Sequence, residues 1–183
     1  MDINIFLFIL AVSFVVLTSI GILSLFGSTY WLEQIILFFV VSSANIIFST
    51  YILSFLRWIG PWGYLTLHAF LFIIVIVLRQ FLPGKAVRFS LNDIIDEIKI
   101  LKKDSTIVIL FFAAAFFGII SFFLAVYMPP NNWDSMTYHL SRVGHWLQHG
   151  SLAPFPTYQL FQLCAPPNAE ILILWTVAFV RSD

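Results

Sequence analysis

The chain has 183 residues, of which 61% are apolar and 10% charged, with nine basic and nine acidic side chains that cancel. A soluble domain is closer to half apolar and a quarter charged, so a globule of this size cannot hide the excess and a lipid bilayer must cover much of it. Zero net charge argues against nucleic acid as a partner, and a lone cysteine, Cys164, rules out a disulfide within the chain. The ordinary role for that cysteine is a small apolar filler.

A helix needs about 20 apolar residues to cross the hydrocarbon core. Residues 3–26, 34–56, 62–82 and 106–128 each meet that length. The first run is too long, and lacks the basic start, for a simple cleaved signal peptide. A further run, 169–180, is too short to span and is read as a fifth helix cut off before completion, as in the amino-terminal part of a longer protein. The expected fold is therefore an all-α polytopic membrane bundle. Residues 1–82 form a three-span unit, 83–105 a connector, and 106–183 a span, a polar loop and the start of the next span.

Orientation follows the basic residues. Lys85, Arg88, Lys99, Lys102 and Lys103 lie between the third and fourth spans, with Arg79 at the edge. That side is expected to be cytoplasmic, which puts 129–168 on the non-cytoplasmic side of the plasma (inner) membrane. In the connector, Leu91, Ile94, Ile95, Ile98 and Leu101 recur at helical spacing opposite Asp93, Asp96, Glu97, Lys99 and Lys103. This pattern predicts an amphipathic helix on the membrane surface. Asn45 and His68 lie inside apolar runs, where a single polar group more often makes one interhelical hydrogen bond than marks a pathway.

The segment after the fourth span departs from its surroundings. "YMPPNNWDSMTYHLSRVGHWLQHGSLAPFPT" gathers a carboxylate, three histidines, an arginine and two tryptophans. Pro129 and Pro130 end the span, Asn131 and Asn132 suit a helix start, and Gly150 suits a helix end. At about 100° per residue, Met136, Leu140, Val143 and Leu147 share one face of a helix over 133–149. Asp134, Tyr138, Ser141, His145 and Gln148 share the other, with Arg142 and His149 at its margin and His139 off it. The polar face is expected to line a cavity, with Trp133 and Trp146 at headgroup depth.

Asp134 falls in the first turn, where the helix dipole favours a negative charge; it is either a catalytic acid or only a helix-start charge. His145 and His149, at i and i+4, are able to share a metal but lack a clear third ligand. The prolines at 154, 156, 166 and 167 predict an extended, non-helical return. Glu170 then opens the next helix, either as a partner carboxylate for Asp134 or as a favourable charge on its own helix.

"NNWDSMTYHLSRVGHWLQHGSLAPFPT" followed by "PPNAE" at the start of an apolar helix resembles the first external loop of the GT-C glycosyltransferases. Within that family it looks like the protein mannosyltransferase-like and aminoarabinose-transferase-like membrane enzymes. The resemblance spans residues 106–180. It implies that the full-length protein, of which these residues are the amino-terminal part and inactive alone, transfers a sugar from a polyprenyl-phosphate donor to an acceptor hydroxyl at the external face, with Asp134 as base or metal-linked acid and Glu170 as a second catalytic carboxylate. It further implies Tyr138, Arg142, His145 and His149 as substrate contacts, and a divalent cation (Mg or Mn) at Asp134. Ser135 stands where the family has a second adjacent acid, and three additional spans precede the loop. The contrasting expectation is a non-catalytic membrane assembly module.

Overall fold

A computed structural model describes residues 3–26, 31–82, 95, 98–99, 102–128 and 133–180. All regular structure among them is helical. The elements are α1 (Ile3–Phe26), α2 (Trp31–Phe55), α3 (Pro61–Phe81), α4 (Ser105–Tyr127), a π-helical turn (Ser135–His139), α5 (Leu140–His149), α6 (Phe161–Cys164) and α7 (Asn168–Phe179). Four of these, α1 to α4, are long and apolar enough to cross a membrane. The protein is an integral, all-α membrane bundle.

Two compact units divide the chain. The first comprises residues 1–87 and 137–183. Here α1 packs on α2 and α3, while α7 packs on α1, α2, α3 and α5. The short helix is therefore not an appendage. Ile171, Leu174, Ala178 and Phe179 on α7 are fully buried, and with Leu7, Ala11, Val15, Leu53 and Tyr64 they make the centre of the core. Lipid supplies no hydrophobic drive between helices, so close approach by small side chains has to bring them together. The chain meets this on α1, where Ala11 and Ser19 are buried without residual exposure. Gly21 lies so near Val75 of α3 that any side chain there would strike its methyl group.

Several polar groups inside this core pair across helices. Ser42 donates to Ser19 Oγ at 3.0 Å. Thr50 and Tyr64 share a hydroxyl contact at 2.9 Å. Trp175 Nε1 donates to His68 Nε2 at 3.0 Å, the single interhelical bond expected of that histidine. Asn45 differs from expectation: its Oδ1 accepts from Ser49, one turn along the same helix, at 3.3 Å. Replacing Trp175 by Phe keeps a ring against Phe8 and Phe179 but leaves His68 Nε2 buried without a donor. We expect a loss of about 1–2 kcal/mol, read as a lower unfolding temperature of the detergent-solubilised protein.

The second unit covers residues 88–136. Asp104 caps α4, accepting from Thr106 N at 2.8 Å and Ile107 N at 3.4 Å. Exposed Ile109, Leu110, Phe111, Phe112, Phe116 and Phe117 run along this helix, the surface that a lipid-facing span needs. Of the apolar stripe expected in the connector, Ile95 and Ile98 are helical and exposed. Leu91, Ile94 and Leu101 lie outside the described residues, as do Lys85 and Arg88. The stops and caps assigned to residues 129–132 also lie outside them.

Candidate functional site

The polar segment does not form the continuous α-helix that its wheel predicts. Residues 135–139 are π-helical, and α5 begins only at Leu140. A π turn closes i to i+5 bonds and so inserts about one residue, which rotates the residues before it by roughly 100° relative to those after it. The buried stripe of α5 is therefore Arg142, Val143 and Trp146. His139 sits one turn earlier on the same line, whereas Met136, expected on the apolar face, is exposed. Arg142, expected at the margin of the polar face, is the largest fully buried side chain among the described residues.

A buried cation needs compensation in full, because desolvation of a charge costs several kcal/mol. Arg142 Nη1 donates to Glu170 Oε1 at 3.3 Å and to the carbonyl of Ala165 at 3.1 Å. Its Nη2 donates to the carbonyls of Phe161 at 2.7 Å and Ala165 at 3.2 Å. The guanidinium carbon lies 5.2 Å from the centre of the Trp146 ring, within cation–π range. Trp146 is thus buried beneath Arg142.

Glu170, in the first turn of α7, is 1% exposed. Its Oε1 also meets His139 Nδ1 at 2.8 Å. One carboxylate oxygen therefore faces two partners from the polar segment, and it ties α5 to the helix at the centre of the bundle. Sequence reasoning left His139 out of the site. The signal lay in the i, i+3 spacing of His139 and Arg142, two donors on one helical face with an acid waiting at the start of the next apolar helix.

The return from α5 to α7 is braced in the same way. Gln162 Nε2 donates to the Thr137 carbonyl at 2.6 Å and to Ser141 Oγ at 2.8 Å, while Thr157 donates to its Oε1 at 2.6 Å. Prolines do not keep the whole return extended, since α6 forms one short helical turn whose Phe161 carbonyl Arg142 holds. At the other end of α5, Gly150 takes φ 63, and its carbonyl accepts from Ile59 N at 3.2 Å. Ser54 on α2 pins the next residues, its Oγ accepting from Leu152 N at 2.8 Å. Cys164, expected to be an apolar filler, is exposed.

Between these braces lies a cavity of about 180 Å³ at the C-terminal end of α2, lined in part by Tyr51, Arg142, Trp146, Phe155 and Gln162. Of the other expected contacts, Tyr138 packs its ring on His139, with centroids 4.0 Å apart, and on Phe161 at 5.9 Å. His145 stacks on Phe155 at 4.1 Å. His149 is exposed, and its ring lies parallel to that of His145 at 6.3 Å. Asp134 is helical and exposed within the second unit.

A divalent cation was expected at Asp134. Among the described residues no group of three or more His, Cys, Asp or Glu side chains comes together. Glu170 is already engaged by Arg142 and His139, and the rings of His145 and His149 face each other in parallel without converging on a point. Glu170, His145 and His149 therefore do not join in one donor set. Comparison with protein-family models, with curated proteins and with solved structures found no match in any of the three.

Proposed function

We propose that the protein works in glycosyl transfer, as a GT-C-type membrane enzyme that moves a sugar from a polyprenyl-phosphate donor to an acceptor hydroxyl on the non-cytoplasmic side of the plasma (inner) membrane. The observation that carries this reading is a braced polar platform built on an apolar bundle. Residues 137–170 hold an Arg–Glu–His cluster and an aromatic-walled cavity against helices that suit lipid. A lipid-linked sugar needs both environments at once: hydrocarbon for its tail, and hydrogen-bonding groups with aromatic faces for its head. Asp134 supplies the essential carboxylate of the reaction, Tyr138 and Gln162 offer polar or aromatic contact to a sugar, and Arg142 with Glu170 holds the platform in shape.

The test compares membranes carrying the wild-type protein with membranes carrying Asp134→Asn, using radiolabelled polyprenyl-phosphate sugars. Transfer is expected to fall by about 10²-fold or more in the variant while insertion is unchanged. Wild-type rates in the variant would remove Asp134 from the reaction. A second reading has its own support: both Nη atoms of Arg142 are spent on Glu170 and backbone carbonyls, as expected of a scaffold that presents a surface to another protein. It predicts no transfer by the wild type with any such donor.

A further inference from the structure

The Glu170–His139 contact does more than tether a loop. A carboxylate only accepts hydrogen bonds, so with Glu170 ionised the 2.8 Å contact to Nδ1 places the proton on Nδ1. In a neutral imidazole that fixes Nε2 as the nitrogen with a free lone pair. Nε2 makes no hydrogen bond to the described residues, and the ring is 35% exposed while its carboxylate partner is buried. Arg142 faces the same carboxylate oxygen at 3.3 Å and anchors it from the other side. The Tyr138 ring covers His139 from 4.0 Å and limits its rotation. The π turn ends at His139, and such turns recur where a helix must re-aim one side chain at a functional site. An imidazole held by a carboxylate at one nitrogen and open at the other is the arrangement that general-base catalysis uses.

We propose that His139 is the proton acceptor of the transfer reaction, with Glu170 as the positioning residue that sets its tautomer and Arg142 as the cation that keeps Glu170 in place. This rests on the transferase reading above and moves the proton-accepting role from Asp134 to His139, leaving Asp134 as an orienting carboxylate. In the step, the acceptor hydroxyl oxygen forms a bond to the anomeric carbon and its proton passes to His139 Nε2. The bond between that carbon and the phosphate oxygen breaks, and its electron pair leaves with the lipid phosphate. The imidazolium so formed is stabilised by Glu170.

The experiment uses the full protein in lipid nanodiscs with a polyprenyl-phosphate sugar. His139→Ala is expected to lower kcat by about 10²- to 10⁴-fold with KM little changed, and added imidazole to restore part of the loss. An unaltered limited-proteolysis pattern, or the same result with His139→Gln, separates this from misfolding. A wild-type kcat in His139→Ala overturns the proposal and leaves the transferase reading standing; no transfer by the wild type overturns both. A measurement free of activity accompanies it. In protein labelled with ¹⁵N-histidine, the resonance pair lost in His139→Gln is expected to show a protonated Nδ1 and an unprotonated Nε2, and Glu170→Gln to mix the two tautomers. A protonated Nε2 in the wild type overturns the proposal whatever the kinetics show.

Discussion

Arg142→Met is expected to cost about 3–5 kcal/mol and to release the segment between α5 and α7 from the bundle. The substitution changes side-chain volume little, so packing contributes little to the loss. It removes the guanidinium that faces Glu170, which leaves that buried carboxylate with His139 as its remaining hydrogen-bond partner among the described residues. It also strips the donors from the Ala165 carbonyl, while the Phe161 carbonyl keeps the Ala165 N–H at 3.3 Å. Each such orphan costs about 1–3 kcal/mol when water cannot reach it. The double variant Arg142→Met/Glu170→Met removes the stranded charge along with its partner, and is expected to recover a large share of the loss. Arg142→Lys should fall between them, because one ammonium cannot span two carbonyls and a carboxylate as the planar guanidinium does. Thermal unfolding gives the order of the three, and proteolysis at residues 150–165 reports the loop. Equal stability of Arg142→Met and wild type would show that the ion pair holds nothing.

The spans were legible because composition and length decide them: 20 or so apolar residues have few alternatives in water, and the ends fell within a few residues of α1 to α4. The role of 169–180 was not. Length alone makes it too short to cross, yet Ala178 and Phe179 are buried at the centre of the first unit, a fact of packing that no hydropathy window carries. The site was half legible. Asp134, Arg142, Tyr138 and Glu170 stood out as chemistry-bearing residues in an oily chain, but the wheel gave lipid or the bundle to the apolar face alone and left Arg142 at the margin of the polar one. Burial of Arg142 reverses that rule, and its pairing with Glu170, 28 residues away, together with the Phe161 and Ala165 carbonyls, makes the reversal tolerable. The π turn was beyond reach as well: "SMTYH" has no proline or glycine to announce a change of period.

The same pairing explains why the polar segment needs α7 and why α7 needs the polar segment. Helix α7 has no side-chain cap, since its N-cap position is Pro167. Its first-turn acid is turned into the bundle and meets Arg142 and His139 instead of solvent. The loop in turn has few apolar contacts of its own beyond Val143, Trp146 and Phe155. Each half supplies a partner for the other, Glu170 Oε1 for Arg142 Nη1 and His139 Nδ1, so the positions of His139 and of the cavity wall are set by one cluster.

Gly63→Ala is the second large expected effect. Gly63 lies in the first turn of α3, just past a tight turn in which Arg57 adopts φ 52, a left-handed value that a non-glycine residue holds only under constraint. The constraint includes Trp58 N donating back to the Leu53 carbonyl at 2.9 Å. In this turn the Trp58 carbonyl lies against Gly63, where an added Cβ would sit inside the van der Waals radius of the oxygen, with Leu53 Cδ2 only 3.2 Å away. Alanine in a helix gains about 1 kcal/mol over glycine, which sets the size of the effect to be beaten. A backbone clash cannot be relieved by a rotamer change, so either the turn opens or α3 tilts. Either movement pulls Tyr64 from Thr50 and His68 from Trp175, because both bonds hang on α3. We expect a net loss of about 2–3 kcal/mol, seen as a lower unfolding temperature in detergent. Gly144→Ala is the matched control: nothing lies within 4 Å of its added Cβ, so it should be neutral or stabilising by up to about 1 kcal/mol. A Gly63→Ala protein as stable as the Gly144→Ala control would mean that the turn between α2 and α3 yields freely and does not set the angle at which α3 enters the bundle.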